Sequence, residues 1–303
     1  MRVGVVDCGT NSIRLLIADI ESGNFREVTR QMQVVRLGQG VDETNQFHPD
    51  ALERTFAAVD LYAGEIARRG VEKIRFCATS ATRDAINRNI FIDGVKERLG
   101  IEPEVISGDE EARLSFAGAT REFSRTDGPF LVVDIGGGST EFVLGTDSVD
   151  SAISVNIGCV RMSERHFHND PPTADEITIA RSDIQNAIDI ASASVDIKSA
   201  KTLVCVAGTA TTVAAAALNL PEYDRHAIHL SRISADQVHD VSNKFLAMTR
   251  DERAALGYMH PGRVDVITAG SLVLSKIVKA TGAKEFVASE NDILDGMAWS
   301  LAK

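Results

Sequence analysis

Twice in this chain an apolar run ends in an aspartate followed at once by a turn of small residues. The first copy is Val5-Val6-Asp7-Cys8-Gly9-Thr10-Asn11-Ser12 and the second is Val132-Val133-Asp134-Ile135-Gly136-Gly137-Gly138-Ser139. The apolar pattern resumes directly after each turn, as Ser12-Ile13-Arg14-Leu15-Leu16-Ile17 and as Thr140-Glu141-Phe142-Val143-Leu144, which predicts a second strand folding back as a hairpin. Backbone N–H groups in such a turn, unhindered by Cβ atoms, form a nest for an anion. A carboxylate at the strand end can hold a hydrated cation beside it. Two copies predict a phosphate-and-metal cleft between two related domains. Two tight hairpins with no ligand are the plainer alternative, and the repeated strand-terminal aspartate argues against it. A dinucleotide-binding turn is a poor match, because that turn enters a helix whereas Thr140 to Leu144 alternates as a strand, and the GxGxxG spacing is absent.

A third stretch, Ser107-Gly108-Asp109-Glu110-Glu111-Ala112-Arg113-Leu114, sets acidic residues in the first turn of a predicted helix, where the macrodipole favours them. Capping alone accounts for their presence. Ala112, Phe116, Ala119 and Ser115 define the packed face, however, and Glu111 directly precedes it, so one carboxylate is placed to project toward the cleft.

The elements that must position these residues follow from periodicity. Strands are predicted at Val3 to Asp7, Ser12 to Ile20 and Phe25 to Leu37, with a turn at Glu21-Ser22-Gly23-Asn24. A helix follows from Asp50 toward Gly70, then a strand from Lys73 to Ala78, a helix from Arg83 to Leu99, a strand at Glu104 to Ile106 and a helix from Asp109 to Phe123. The polar run Ser124 to Gly128 marks a boundary and a hinge. Beyond it the order starts again, with strands at Phe130 to Asp134, at Thr140 to Leu144 and at Ser151 to Asn156. A helix at Ala174 to Ala193 precedes a strand at Thr202 to Val206, and the turn Ala207-Gly208-Thr209 opens an Ala-rich helix. Further helices are predicted at Ala235 to Met248, Arg263 to Thr281 and Asp292 to Leu301, with a strand at Glu285 to Ala288.

With 303 residues and 44% hydrophobic content, two cores are expected rather than one. The formal net charge of -11 disfavours nucleic acid or an anionic membrane as a partner, so a polyanionic substrate requires a locally basic site. Cys8, Cys77, Cys159 and Cys205 are scattered in apolar runs without CxxC pairing, which reads as reduced core thiols. No apolar stretch approaches the ~20 residues that cross a bilayer, and the chain enters a strand without a signal-peptide core. A soluble cytoplasmic protein is expected.

The motifs together resemble a known family. Asp7-x-Gly9-x-Asn11-Ser12-x-Arg14, then Ala78-Thr79-Ser80-Ala81-Thr82-Arg83-Asp84-Ala85-x-Asn87, then Ser107-Gly108-x-Glu110-Glu111-Ala112-Arg113-Leu114, then Asp134-x-Gly136-Gly137-Gly138-Ser139-Thr140-Glu141, and then Gly208-Thr209-Ala210-Thr211-Thr212 resemble, in order, the exopolyphosphatase and guanosine pentaphosphate phosphatase (Ppx/GppA) family. A looser match surrounds Gly262-Arg263-Val264-Asp265. The resemblance implies an α/β fold of two duplicated ribonuclease-H-like domains, of the actin, Hsp70 and sugar kinase superfamily, around an interdomain cleft. It divides the chain into 1–124, joined by the C-terminal helix, and 125–303.

The implied activity is Mg²⁺-dependent hydrolysis of the terminal phosphate of a phosphoanhydride chain. Glu111 is carried over as the catalytic base, with Glu110 as its fallback and Arg83 as fixed positive charge. Asp7 and Asp134 are the implied metal residues. Asn11, Ser12, Arg14, Gly136, Gly137, Gly138, Ser139, Gly208 and Thr209 are the implied substrate-binding set. Such chemistry asks for positioning and charge neutralisation more than for covalent catalysis. Long members carry a further helical region with a His-Asp metal pattern, which this chain lacks, so short-chain polyphosphate is the first expected substrate. Guanosine pentaphosphate is the alternative, and a polyphosphate or nucleotide sensor with little turnover is the alternative of another class. A homodimer is implied by resemblance only. The stretch Ser289 to Gly296 is more acidic than its family counterpart.

Overall fold

Three β-rich runs open the chain. In the computed structural model, which describes residues 1–21 and 23–302, they form β1 (Arg2–Cys8), β2 (Ser12–Glu21) and β3 (Asn24–Val34). Ser22 of the expected turn and the terminal Lys303 lie outside the described residues. The first part continues through α1 (Val41–Thr44), α2 (Pro49–Arg68), β4 (Lys73–Ala78), α3 (Ser80–Asp84), α4 (Arg88–Leu99), β5 (Glu104–Val105) and α5 (Gly108–Ala119). The second part comprises β6 (Phe130–Ile135), β7 (Thr140–Gly145), β8 (Val149–Val155), α6 (Cys159–His166), α7 (Ala174–Ser194), β9 (Thr202–Val206), α8 (Ala207–Ala217), α9 (Arg225–Ile228), β10 (Arg232–Ser234), α10 (Ala235–Ala247), α11 (Arg250–Ala254), α12 (Ile267–Thr281) and β11 (Glu285–Ala288). The C-terminal α13 spans Ile293–Ser300. Two compact units result: Met1–Gly118 with Ile293–Lys303, and Ala119–Asp292.

The first unit is a sheet of order β3-β2-β1-β4-β5, with β2 antiparallel to both neighbours and β4 parallel to β1 and β5. Successive side chains of β1 point to opposite faces. Val6 and Cys8 meet Val59, Tyr62 and Ile66 of α2, while Val3 and Val5 meet Leu114 and the α13 residues Leu294 and Met297. Helices cover both faces, which is why β1 reads as a continuous apolar run. The buried Tyr62 satisfies its hydroxyl on the Ile13 carbonyl at 3.0 Å.

The helix predicted from Arg83 to Leu99 is instead two helices, α3 and α4. Between them Asn87 accepts from the Phe47 N–H through Oδ1 at 2.8 Å and donates to the Phe47 carbonyl through Nδ2 at 3.2 Å. A side chain that hydrogen-bonds another segment's backbone in this way competes with helix continuation.

The second unit has the order β10-β11-β9-β6-β7-β8. Taken from β8, the run β8-β7-β6-β9-β11 repeats the topology of the first sheet, with β10 added antiparallel at the edge. Both units therefore have the ribonuclease-H-like arrangement. Leu131, Val133 and Ile135 of β6 pack with Ile184 and Ile188 of α7 and with Leu272 and Ile277 of α12. All four cysteines are buried thiols. No helix among the described residues is long and apolar enough to cross a membrane.

Candidate active site

In the first unit the parallel strands β1, β4 and β5 end together, and the expected residues gather at that end. The β1–β2 turn is closed by Gly9 N–H donating to the Ser12 carbonyl at 2.9 Å. Its own carbonyls are held from behind: Gly38 N–H donates to Thr10 at 2.8 Å, and Val35 and Arg36 N–H donate to Asn11 at 3.1 and 2.8 Å. Because C=O and N–H of a trans peptide point to opposite sides, the N–H groups of Asn11 and Ser12 face the other way. A Cβ on Gly38 would lie 2.1 Å from Thr10 Cγ2, so glycine is what lets the backing segment approach.

Asp7, 5% exposed, closes β1 directly opposite Arg14 on β2. Arg14 donates to Asp7 Oδ2 from Nη2 at 2.6 Å and from Nε at 3.1 Å. The expected metal residue and the expected substrate arginine thus form one cross-strand ion pair.

Glu111 enters from α5, whose start is capped by Ser107: its Oγ accepts from Glu110 N–H at 3.1 Å and its carbonyl from Glu111 N–H at 3.0 Å. Arg83, in the last turn of α3, donates from Nη1 to Glu111 Oε2 at 2.7 Å and to the Ile106 carbonyl at 3.1 Å. The two side chains are 23% and 11% exposed. Glu110, on the next position, turns to Arg75 at 2.5 Å and its side chain is 45% exposed. Close packing fixes the middle of α5, since a Cβ on Gly296 of α13 would lie 2.0 Å from the Leu114 carbonyl oxygen.

In the second unit the Gly136–Ser139 turn is backed in the same manner, by the start of α6. Gly136 N–H donates to the Ser139 carbonyl at 3.0 Å. The Gly136 carbonyl accepts from Cys159 N–H at 2.9 Å, and the Gly137 carbonyl accepts from Val160 and Arg161 N–H at 2.9 and 3.1 Å. The Gly138 carbonyl accepts from Gly158 N–H at 3.1 Å and from the buried Arg161 Nε at 2.8 Å. The α6 donors, which no side chain caps, are thus spent on the turn. The N–H groups of Gly137, Gly138 and Ser139 share those peptides and point away from α6.

Asp134 closes β6 opposite Glu141 of β7, and both are buried. Ser154 Oγ donates to Glu141 Oε1 at 2.7 Å. The position matching Arg14 is therefore a second carboxylate. Like charges directly opposite one another in a sheet repel unless a cation or proton sits with them. No cluster of three or more His, Cys, Asp or Glu side chains able to hold a metal occurs among the described residues. Hard carboxylate oxygens in ones and twos nevertheless fit Mg²⁺, which keeps several waters and takes the rest of its shell from substrate phosphates. Asp134 and Glu141 offer such oxygens opposite one another, and Asp7 offers them beside Arg14.

Gly208 and Thr209 begin α8, immediately after β9 and beside Asp134, which pairs with Val206 across the sheet. Ala207 adopts φ 64° at this junction and α8 has no side-chain cap. The Arg263 guanidinium fills the space above Gly208, where a Cβ would come within 1.3 Å of Nη1. Cys8 and Cys159 adjoin the two turns, but burial pushes both thiols up, so neither supplies a thiolate.

The backing residues Gly158 and Arg161, the second carboxylate Glu141 and the guanidinium of Arg263 are not in the expected binding set. Glu141 and Arg263 lie inside the motif matches and could have been found there. Gly158 and Arg161 carry no local signal, because their role depends on a turn about 20 residues earlier.

Comparison with known proteins bears on the family and the fold. The profile of the Ppx/GppA phosphatase family matches residues 16–303. The chain is 46% identical to Exopolyphosphatase 2 of Mycobacterium tuberculosis over 99% of this chain and 98% of that protein. A solved exopolyphosphatase-like protein is 45% identical, with a TM-score of 0.95 over 99% of this chain and 98% of its own. The Aquifex aeolicus member of the Ppx/GppA family is 30% identical, with a TM-score of 0.83 over 100% and 97%. The chain belongs to the Ppx/GppA phosphatase family.

Proposed function

We propose that this protein is an exopolyphosphatase that hydrolyses the terminal phosphate of inorganic polyphosphate. The observation that carries the reading is Glu111, a buried carboxylate at a helix start, fixed by Arg83 at 2.7 Å at the end of the sheet where the Asp7 turn lies. In this reading Glu111 orients the attacking water and accepts its proton, while Arg83 holds the carboxylate in one rotamer. The N–H groups of Asn11, Ser12, Gly137, Gly138 and Ser139 receive phosphate oxygens. Gly208, Thr209 and Arg263 take the continuing chain, and Arg14, held by Asp7, borders the first turn. Asp134 and Glu141 would hold Mg²⁺, which supplies charge neutralisation to the phosphate oxygens when bound. Phosphoryl transfer needs little else from a protein, because positioning and electrostatics dominate it. The name of the relative from Mycobacterium tuberculosis supports polyphosphate over a nucleotide as the substrate.

The test is phosphate release from tripolyphosphate, long-chain polyphosphate and guanosine pentaphosphate, each with Mg²⁺ and with a chelator. Release from both polyphosphates that stops on chelation is expected. Faster release from guanosine pentaphosphate would assign the nucleotide instead, and release from none would leave only a binding role.

A further inference from the structure

Arg263 covers Gly208 at the start of α8 and reaches Thr212 Oγ1 at 3.5 Å. Nearby stands Glu290, a carboxylate just past β11, which burial pushes up and which the Tyr223 hydrogen bond and the charges of Arg225 and Arg263 pull back down. The Glu290 side chain is only 13% exposed, and Arg225 Nε stands 3.6 Å from its Oε2. The Tyr223 hydroxyl bridges Glu290 Oε1 at 2.5 Å and Thr211 Oγ1 of α8 at 2.8 Å. His229 pins the backbone of the same residue, its Nδ1 accepting from Glu290 N–H at 3.1 Å while Nε2 meets Glu122 at 3.1 Å. A buried carboxylate is thus held by Tyr223 and His229 beside the Arg225 guanidinium and α8.

For a polyanionic chain that arrangement has a definite consequence. Each further phosphate along the chain needs positive potential, and a fixed, poorly hydrated carboxylate both consumes it and repels the newcomer. Asp292, two residues on, adds to the negative charge bearing on this point. We infer that Glu290 is a specificity-determining residue that limits the length of phosphate chain accepted beside α8. The inference rests on the polyphosphate reading. Glu290 touches no reacting atom; it acts through Arg263 and Arg225.

The experiment measures binding of tripolyphosphate and of long-chain polyphosphate by calorimetry, using the full chain carrying Glu111→Gln so that ligands are bound without being cut. Glu290→Gln keeps the acceptor for Tyr223 and removes the charge. It is expected to tighten the long chain about three- to tenfold more than tripolyphosphate, with the difference shrinking at high salt. Tyr223→Phe removes the bridge and keeps the charge, and is expected to leave the ratio of the two affinities unchanged. An unchanged ratio in Glu290→Gln, or an equal change in both variants, would overturn the inference. Absence of phosphate release by the native chain would remove the hydrolase reading separately, and the affinity ratio would still decide the role of Glu290.

Discussion

Glu110 and Glu111 are neighbours on one helix with opposite surroundings. Glu110 pairs with Arg75, which is shared with Glu104 at 2.8 Å, and remains nearly half exposed. Glu111 is buried against Arg83. Glu110→Gln therefore removes one exposed ion pair, costing about 0.2–1 kcal/mol, and is expected to leave steady-state phosphate release unchanged; a large fall in turnover with intact folding would move the catalytic role to Glu110. The sequence left these two residues undecided, because adjacent positions differ by only 100° around a helix and both fit the macrodipole. Its motif named Arg83 without naming a partner, and Asp84 and Glu72 were nearer in sequence than Glu111. The carboxylate 28 residues on became the partner because β4 and β5 end side by side. Similarly, Asp7 and Arg14 were legible as individual residues, whereas their pairing depends on hairpin register.

At the level of elements, each strand-ending turn owes its orientation to a segment that follows the third strand of its sheet. Residues 35–38 hold the Asn11 turn and residues 158–161 hold the Gly137 turn. Gly158 has no room for a side chain, since a Cβ would lie 2.2 Å from the Gly137 carbonyl carbon and oxygen. Gly158→Ala must displace backbone and is expected to raise KM for polyphosphate about tenfold and to lower the melting temperature, an overpacking cost of about 1–3 kcal/mol. Unchanged kinetics would show that the turn does not depend on α6. Farther away, α7 begins with a capping box in which Thr173 N–H donates to Glu176 Oε2 at 2.7 Å and Thr173 Oγ1 accepts from Glu176 N–H at 3.3 Å. The backbone donor of Thr173, with that of His168, lowers Glu176 from 4.5 to about 2. A carboxylate depressed by folding stabilises fully above its ordinary value and loses that contribution as pH falls through the folded one. Denaturant unfolding of Glu176→Gln should therefore show a deficit at neutral pH that closes between about pH 4.5 and pH 2; a deficit independent of pH would contradict this. Strands β4, β9 and β11 and the two hairpins were readable to within a residue, because period and turn chemistry are local. The start of α6 was not, since its donors are capped by carbonyls remote in sequence rather than by a Ser or Asp beside it.

Across the whole molecule, the same strand order and the same backing device occur twice, but the chemistry opposite the strand-terminal aspartate differs. Arg14 stands there in the first unit and Glu141 in the second. Duplication was legible in the repeated Asp-Gly turns; this asymmetry was visible in the residues and became meaningful only once register placed them face to face. A chain of net charge -11 can bind a polyanion only where charge is locally reversed. In the proposed reading, oriented backbone N–H groups of the two turns meet that need without making the protein basic. Glu111 is the group proposed to activate water. The direct measurement is phosphate release from polyphosphate by Glu111→Gln beside its affinity for the same chain. Turnover is expected to fall by about 10²- to 10⁴-fold with binding retained. Turnover close to that of the native protein, with the chain still bound, would contradict it.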